Sequence, residues 1–122
     1  EWHVAHLLDP QNVVPGSVMP PYPFLLEREL KVADIAAHLE TLRLVGVPYS
    51  DEMIAAAAED LRTQADPAAD HEQLLRRYPK AMVGDLDGQP SRLTEMDALV
   101  AYLQILGRMV DFSAVTPEDL RQ

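Results

Sequence analysis

Apolar residues recur with helical spacing in the first half of the chain. One stripe predicts a helix over about residues 32–45; its members are Ile35, Leu39, Leu42 and Val45. Gly46 follows the last of them and is typical of the residue just beyond a helix C-terminus. A second helix is predicted from about Glu52 to Gln64, with Ser50 or Asp51 as its N-cap and an alanine-rich centre of high helix propensity.

The stretch after residue 65 predicts a further helix and then a loop. Asp66 and Pro67 fit an N-cap followed by the first helical residue, so we expect a helix over about 67–77. Tyr78-Pro79 closes this helix because proline cannot continue it. Two glycines and two prolines in residues 79–92 indicate a loop.

The last apolar stripe predicts a helix over about 94–107. Thr94 fits as its N-cap, and the acidic Glu95 and Asp97 lie in the first turn, where they favour the helix dipole. The apolar face of this helix consists of Met96, Leu99, Val100, Leu103 and Leu106. Together these elements predict an all-α fold.

The N-terminal part combines a short helix with a proline-rich loop. Residues 2–8 are predicted to form a helix that Pro10 stops, and residues 10–25 a loop, since four of the chain's ten prolines lie between Val13 and Pro23. Met19 lies within this loop, and two interpretations are open. Its flexible side chain fills an irregular gap in a core, or its thioether is held out as a soft ligand for a haem iron.

Charge and composition narrow the possible partners. The chain of 122 residues has a formal net charge of −10, which disfavours nucleic acid and anionic lipid as partners. The charge either serves solubility, the usual role of most such carboxylates, or favours a basic protein as partner. No apolar run reaches the length of a membrane-spanning helix. The chain contains no cysteine, so disulfides and thiolate metal sites are excluded.

The remaining candidate chemistry is weak. His3 and His6 are three apart on the first predicted helix, but two ligands alone make a poor metal site. His38 and His71 lie among polar residues, and we expect them to be solvated. Residues 85–88 carry acidic residues before a glycine but fail the calcium-loop spacing, so a turn is expected. No nucleophile elbow, Walker loop or dinucleotide fingerprint is present.

Three blocks of the sequence nevertheless resemble one family. Residues 2–25 carry the pattern W-H-x-x-H-L-x-x-P-x-x-V-V-P-x-S-x-M-P-x-Y-P-F-L, residues 93–107 carry L-T-E-M-D-A-L-V-A-Y-L-Q-I-L-G, and residues 34–52 lie between them. These blocks resemble subunit II, the mono-haem cytochrome c subunit (FixO/CcoO-like), of cbb-type haem–copper oxidases. The resemblance covers most of residues 1–110.

The resemblance implies a class I cytochrome c-like domain over residues 1–110, with a helical insertion over about 47–92 and a tail over 111–122. It implies that Met19 is the distal axial ligand of a haem c, with Met82 as the next candidate, and that His3 and His6 have a structural or haem-periphery role. The implied function is relay of electrons toward the oxygen-reducing subunit of a terminal oxidase. Its implied partners are that haem–copper subunit, other oxidase subunits and a basic soluble cytochrome c, on the periplasmic side of the bacterial inner membrane.

The lack of cysteine departs from the family, which attaches its haem through a C-x-x-C-H motif. We therefore expect this chain to be a C-terminal fragment that lacks the anchor, the haem-attachment helix and the proximal histidine. Such a fragment would bind no haem by itself and have no catalytic activity alone. We expect it to self-associate through the helix at 94–107 or to loosen its proline loop. The alternative is that the chain is an acidic all-helical interaction module without a cofactor.

Overall fold

The computed structural model describes residues 2–106 and Arg108, and this part of the chain is helical. It contains no strand, and its only bridge of β type joins Glu29 to Thr94 in antiparallel pairing. The elements are α1 (Trp2–Leu8), α2 (Pro10–Val13), α3 (Phe24–Glu27), a 3-10 turn (Val32–Asp34), α4 (Ile35–Leu44), α5 (Asp51–Ala65), α6 (Glu72–Arg77) and α7 (Glu95–Leu106). The all-α prediction is confirmed. None of these helices is both long and apolar enough to cross a bilayer.

The first core brings the two ends of the described chain together. Leu7 of α1 is buried against Met96 and Val100 of α7. Partly buried side chains complete this first core; they are Val4, Leu8, Met19, Tyr22, Leu25, Leu26, Leu86, Leu99 and Leu103. The apolar face predicted for the last helix is therefore the face that packs, while Leu106 at its end stays exposed.

The predicted loop over residues 10–25 is shorter in the structure. Pro10 ends α1 as expected, but it also occupies the first turn of α2. The Asp9 side chain caps α2 by accepting a hydrogen bond from the Asn12 amide at 3.2 Å. Proline suits a first helical turn because the amide it lacks would have no partner there. With α3 beginning at Phe24, the loop itself spans residues 14–23.

The second core lies between α4 and α5. Leu39, Ile54 and Ala57 are buried there, and Ile35, Ala36 and Tyr49 pack around them. Gly46 has a φ of 101°, which glycine adopts without strain, and it separates the two helices as predicted. Of the two candidate caps, Ser50 is the N-cap of α5, since its side chain accepts from the Met53 amide at 3.1 Å.

The prediction of a helix over 67–77 is wrong at its N-terminal end. Asp66 is the C-cap of α5 and not an N-cap; its carboxylate accepts from the Ala68 amide at 2.9 Å, which forms a turn. Asp70 makes the equivalent bond to the Glu72 amide at 3.0 Å. These local bonds compete with helix formation. Consequently α6 begins only at Glu72, and it closes at Tyr78 as expected.

The N-terminal end of α7 is joined to the chain just after α3. The Leu30 amide donates to the Leu93 carbonyl at 2.9 Å, and the Glu95 amide donates to the Arg28 carbonyl at 3.0 Å. Thr94 caps α7 as predicted, because its hydroxyl accepts from the Asp97 amide at 3.3 Å. The proposed insertion over 47–92 stays a prediction, and the tail at 111–122 lies outside the described residues.

Candidate functional site

The loop that carries Met19 is fastened to α1 and to itself. The Tyr22 amide donates to the Leu7 carbonyl at 2.8 Å, which ties the C-terminal end of the loop to α1. Within the loop, the Ser17 amide donates to the Val14 carbonyl at 3.0 Å, and the Met19 amide donates to the Ser17 hydroxyl at 3.2 Å. The backbone on both sides of Met19 is therefore held by hydrogen bonds as well as by proline.

The side chain of Met19 points to the first core. It is half-buried and packs against that core, whereas its neighbour Val18 is fully exposed. This placement agrees with both interpretations of the sequence, because a thioether that fills a gap at the edge of a core is also available to an apolar group that enters there. The structure thus keeps Met19 as the candidate ligand.

Met82, the second candidate, lies in a different environment. It is absent from the first core, and its backbone carbonyl accepts from Gln64 Nε2 at 2.8 Å. Its sulfur lies 3.0 Å from Nη1 of Arg108, so a cationic donor already approaches it. Of the two loop methionines, Met19 alone shares the first core with α1 and α7.

Three ring-bearing residues form one side of α1. The rings of Trp2 and His6 are stacked, with centroids 4.8 Å apart and planes 17° apart, and the ring of His3 meets Trp2 edge-on at 5.3 Å. Within the described part of the chain, neither histidine belongs to a group of three side chains that could hold a metal ion. The interpretation of His3 and His6 as a poor metal site stays a prediction.

Two buried polar atoms in this region lack a hydrogen-bond partner. They are His6 Nδ1 on α1 and Gln104 Oε1 on α7, and among the described residues no other buried side-chain polar atom is in this state. An unsatisfied buried group costs about 1–3 kcal/mol, so such groups are rare. Both lie on helices that build the first core beside Met19. A thioether is a soft ligand that suits a haem iron, but without cysteine these residues hold no covalent attachment.

The other two histidines lie elsewhere. His38 is exposed on α4, as expected. His71 is half-buried, and its Nε2 lies 2.9 Å from the Asp66 carbonyl oxygen at the exposed surface. Neither histidine belongs to the first core.

A carboxylate cluster stands at the start of α7. Oxygens of Asp85, Asp87 and Asp97 lie within 4.8 Å of one another. The hydrogen bonds at this cluster are structural, since Asp97 accepts from the amides of Asp87 at 3.1 Å and Thr94 at 3.0 Å. Burial raises the pKa of Asp97, the charge of Asp87 adds to the rise, and the Thr94 amide opposes it. The Gly88 amide donates to Asp85 at 2.8 Å and forms the turn expected there.

A cavity of about 600 Å³ separates the second core from α7. Its polar wall is an ion pair that the sequence analysis missed, in which Nε of Arg77 donates to the buried Asp60 at 2.8 Å. Glu52 accepts a further bond at 3.1 Å. The Asp60 hydrogen bond raises the pKa of the Arg77 guanidinium above its usual range, and burial raises the pKa of Tyr78. The sequence held one signal for this ion pair, because Asp60 follows Ala57 by three residues and so lies on the same face of the helix.

The comparisons with known proteins point to one family. The family model described as "Cytochrome C oxidase, mono-heme subunit/FixO" matches residues 1–110. A comparison with curated proteins found no match. Because the family match spans most of the chain, the chain belongs to the mono-haem subunit family of cytochrome c oxidase.

Proposed function

We propose that this member of the mono-haem oxidase-subunit family relays single electrons and that Met19 is the distal axial ligand of its haem. The observation that carries the ligand assignment is the packing of Met19 against the first core from a loop fastened to α1. When bound, the haem supplies one-electron redox chemistry, and its potential responds to the axial ligand, to burial and to nearby hydrogen bonds.

The residues of this chain would position the ligand and exclude water. The bond between the Tyr22 amide and the Leu7 carbonyl keeps the loop on α1, so the thioether is held before the haem arrives. Met19 packs against the cluster that contains Met96 and Val100, and both of these side chains are almost completely buried and so exclude water there. A thioether in such surroundings favours ferrous iron and raises the potential.

The proposed partners follow from family membership and from charge. We propose that the subunit delivers electrons to the oxygen-reducing haem–copper subunit on the periplasmic side of the bacterial inner membrane. The formal net charge of −10 supports a basic soluble cytochrome c as the donor, because complementary charge steers encounter at low ionic strength. Raising the salt concentration should slow that electron transfer.

The ligand assignment is tested in the haem-loaded subunit with Met19→Ala, and Met82→Ala is the matched control. In Met19→Ala we expect haem to stay attached, the weak near-infrared band of methionine-ligated ferric haem to vanish and the reduction potential to fall. In Met82→Ala we expect both properties to stay as in the wild type, because the sulfur of Met82 lies beside Arg108 and outside the first core. Loss of the band in Met82→Ala and its retention in Met19→Ala would refute the assignment.

A further inference from the structure

We propose that Ser17 is a positioning residue for the loop over residues 14–23, and that its hydroxyl keeps the thioether of Met19 from being displaced by a competing ligand. The proposal rests on the function proposed above and deepens it. In this role Ser17 acts through the backbone, since its hydroxyl oxygen accepts from the Met19 amide.

The first of two consecutive turns fixes Ser17 itself. The Ser17 amide donates to the Val14 carbonyl at 3.0 Å, with Pro15 and Gly16 between them. Gly16 has a φ of 84°, and a proline followed by a glycine of positive φ is the sequence pattern of a type II turn. Nε2 of Gln11 also donates to the Ser17 carbonyl, at 3.3 Å. The backbone of Ser17 is therefore held at its amide and at its carbonyl.

The second turn joins Ser17 to Met19. The Ser17 hydroxyl oxygen accepts from the Met19 amide at 3.2 Å, two residues on, which forms an ST-turn. Pro20 restricts Met19 from the other side, because the residue before a proline is biased toward extended conformations. Between these two restraints the side chains alternate: Val18 is fully exposed, whereas Met19 is half-buried against the first core. Loss of the Ser17 hydroxyl would remove the restraint on the N-terminal side of Met19.

A bond of this kind opposes displacement of the thioether. Before a competing ligand can take the place of Met19, its side chain must leave the first core and the turn from Ser17 to Met19 must rearrange. We therefore expect Ser17→Ala to raise the apparent affinity of the ferric subunit for imidazole about fivefold, because one net hydrogen bond no longer favours the seated thioether. This change corresponds to about 1 kcal/mol at 1.4 kcal/mol per tenfold.

Ser50 supplies a matched control. Its hydroxyl oxygen accepts from the Met53 amide at 3.1 Å, so the same bond joins the same two residue types, but at the N-cap of α5 beside the second core. Ser50→Ala should therefore leave the affinity for imidazole unchanged. Ser17→Thr keeps a hydroxyl at the position of the proposed bond, and we expect it to restore the wild-type affinity.

The test titrates the ferric haem-loaded subunit with imidazole and follows the near-infrared band of methionine ligation. In Ser17→Ala we expect half of the band to disappear at about one fifth of the wild-type imidazole concentration. Equal midpoints in Ser17→Ala and Ser50→Ala would overturn the proposal. Loss of the band in Met19→Ala together with a wild-type midpoint in Ser17→Ala would refute only the role of Ser17, whereas a band retained in Met19→Ala would refute the ligand assignment itself.

Amide hydrogen exchange of the wild-type haem-loaded subunit tests the bond without any variant, and it decides should Ser17→Ala fail to accumulate. The comparison is with Val18, the residue between the two, whose amide makes no hydrogen bond with a described residue. Relative to their intrinsic rates, we expect the Met19 amide to exchange more slowly than the Val18 amide. Equal protection of the two amides would contradict the proposed bond.

Discussion

The two cores of this molecule differ in how completely their polar groups are satisfied. Around the second core, the buried carboxylate of Asp60 is held by two nitrogens of Arg77, at 2.8 Å and 2.5 Å, and Glu52 extends the network. Around the first core, His6 Nδ1 and Gln104 Oε1 are buried without partners. The second core is thus electrostatically complete in the described residues, whereas the first presents unused hydrogen-bonding groups.

This difference indicates which of the two cores a ligand would complete. Natural proteins satisfy nearly all buried polar groups, so unsatisfied ones concentrate at sites that a ligand completes. The first core combines them with a half-buried thioether on a fastened loop, and the second has no such combination among residues 2–106. The unpartnered atoms support our proposal that the functional site lies at the first core.

The largest change in stability should come from removing a fully buried side chain from the first core. Met96 has no exposed surface, so Met96→Ala should lower the free energy of unfolding by about 2–5 kcal/mol through lost burial and a cavity. Leu44→Ala is the control, because Leu44 is 88% exposed and should change the free energy of unfolding little. Urea unfolding followed by circular dichroism measures both; equal effects would mean that Met96 is not part of a packed core.

The next largest effect should come from the ion pair of the second region. Asp60→Asn removes the buried charge that Arg77 contacts with two nitrogens, and we expect a clear fall in the urea midpoint because a half-buried guanidinium loses its partner. Asp51→Asn is the control, since Asp51 pairs with Arg43 while almost fully exposed, and exposed pairs contribute little. A midpoint that falls equally in both variants would remove the distinction between the two pairs.

A smaller effect should follow from removing the cap of α7. Thr94→Val keeps the shape of the buried side chain but removes a hydroxyl that donates to Asp87 at 2.7 Å and accepts from the Asp97 amide. We expect a loss of about 1–2 kcal/mol in the free energy of unfolding. Thr41→Val on α4 is the control, because its hydroxyl only bonds the Ala37 carbonyl on an exposed surface. The prediction fails if urea unfolding shows no difference between the variants.

The smallest expected effect is a pH dependence at the start of α7. Burial raises the pKa of Asp97 in the folded protein, so the folded state holds this proton more tightly than the unfolded state. The contribution of Asp97 to stability should therefore fall as the pH rises from the ordinary aspartate pKa through the raised one. Asp97→Asn should remove that part of the dependence, and urea midpoints of both proteins across this range measure it. Parallel pH profiles would contradict the prediction.

Two Asp-Pro pairs show what the sequence could and could not predict. Asp66-Pro67 was expected to begin a helix and Asp9-Pro10 to end one, but Asp9-Pro10 also begins a helix and Asp66-Pro67 begins none. The difference is which amide each carboxylate accepts from: Asp9 bonds the amide three residues on, which caps a helix, and Asp66 bonds the amide two residues on, which forms a turn. One sequence pattern supports both outcomes, so it cannot decide between them.

In the candidate site, too, some features could be predicted from the sequence and others could not. The place of Met19 on a constrained loop was predictable, because proline restricts the backbone wherever it stands. The helix that carries His3 and His6 was predictable from Pro10 and from local spacing. The unpartnered state of His6 Nδ1 and the pairing of Asp60 with Arg77 were not, since both depend on which distant helices meet.

The bridge between Glu29 and Thr94 has a topological consequence. Because the Leu30 amide donates to the Leu93 carbonyl, the two ends of the segment 30–93 lie side by side. The chain just after α3 is therefore held next to the start of α7, whatever the length of the segment between them. The cost of closing such a loop grows only slowly with its length. Apart from Leu86, which packs on the first core, and Asp87, which bonds Thr94, its size and sequence can therefore change without altering the distance between the Met19 loop and α7. The rest of the segment 30–93 is thus free to vary, whereas the geometry of the Met19 loop against α7 is kept.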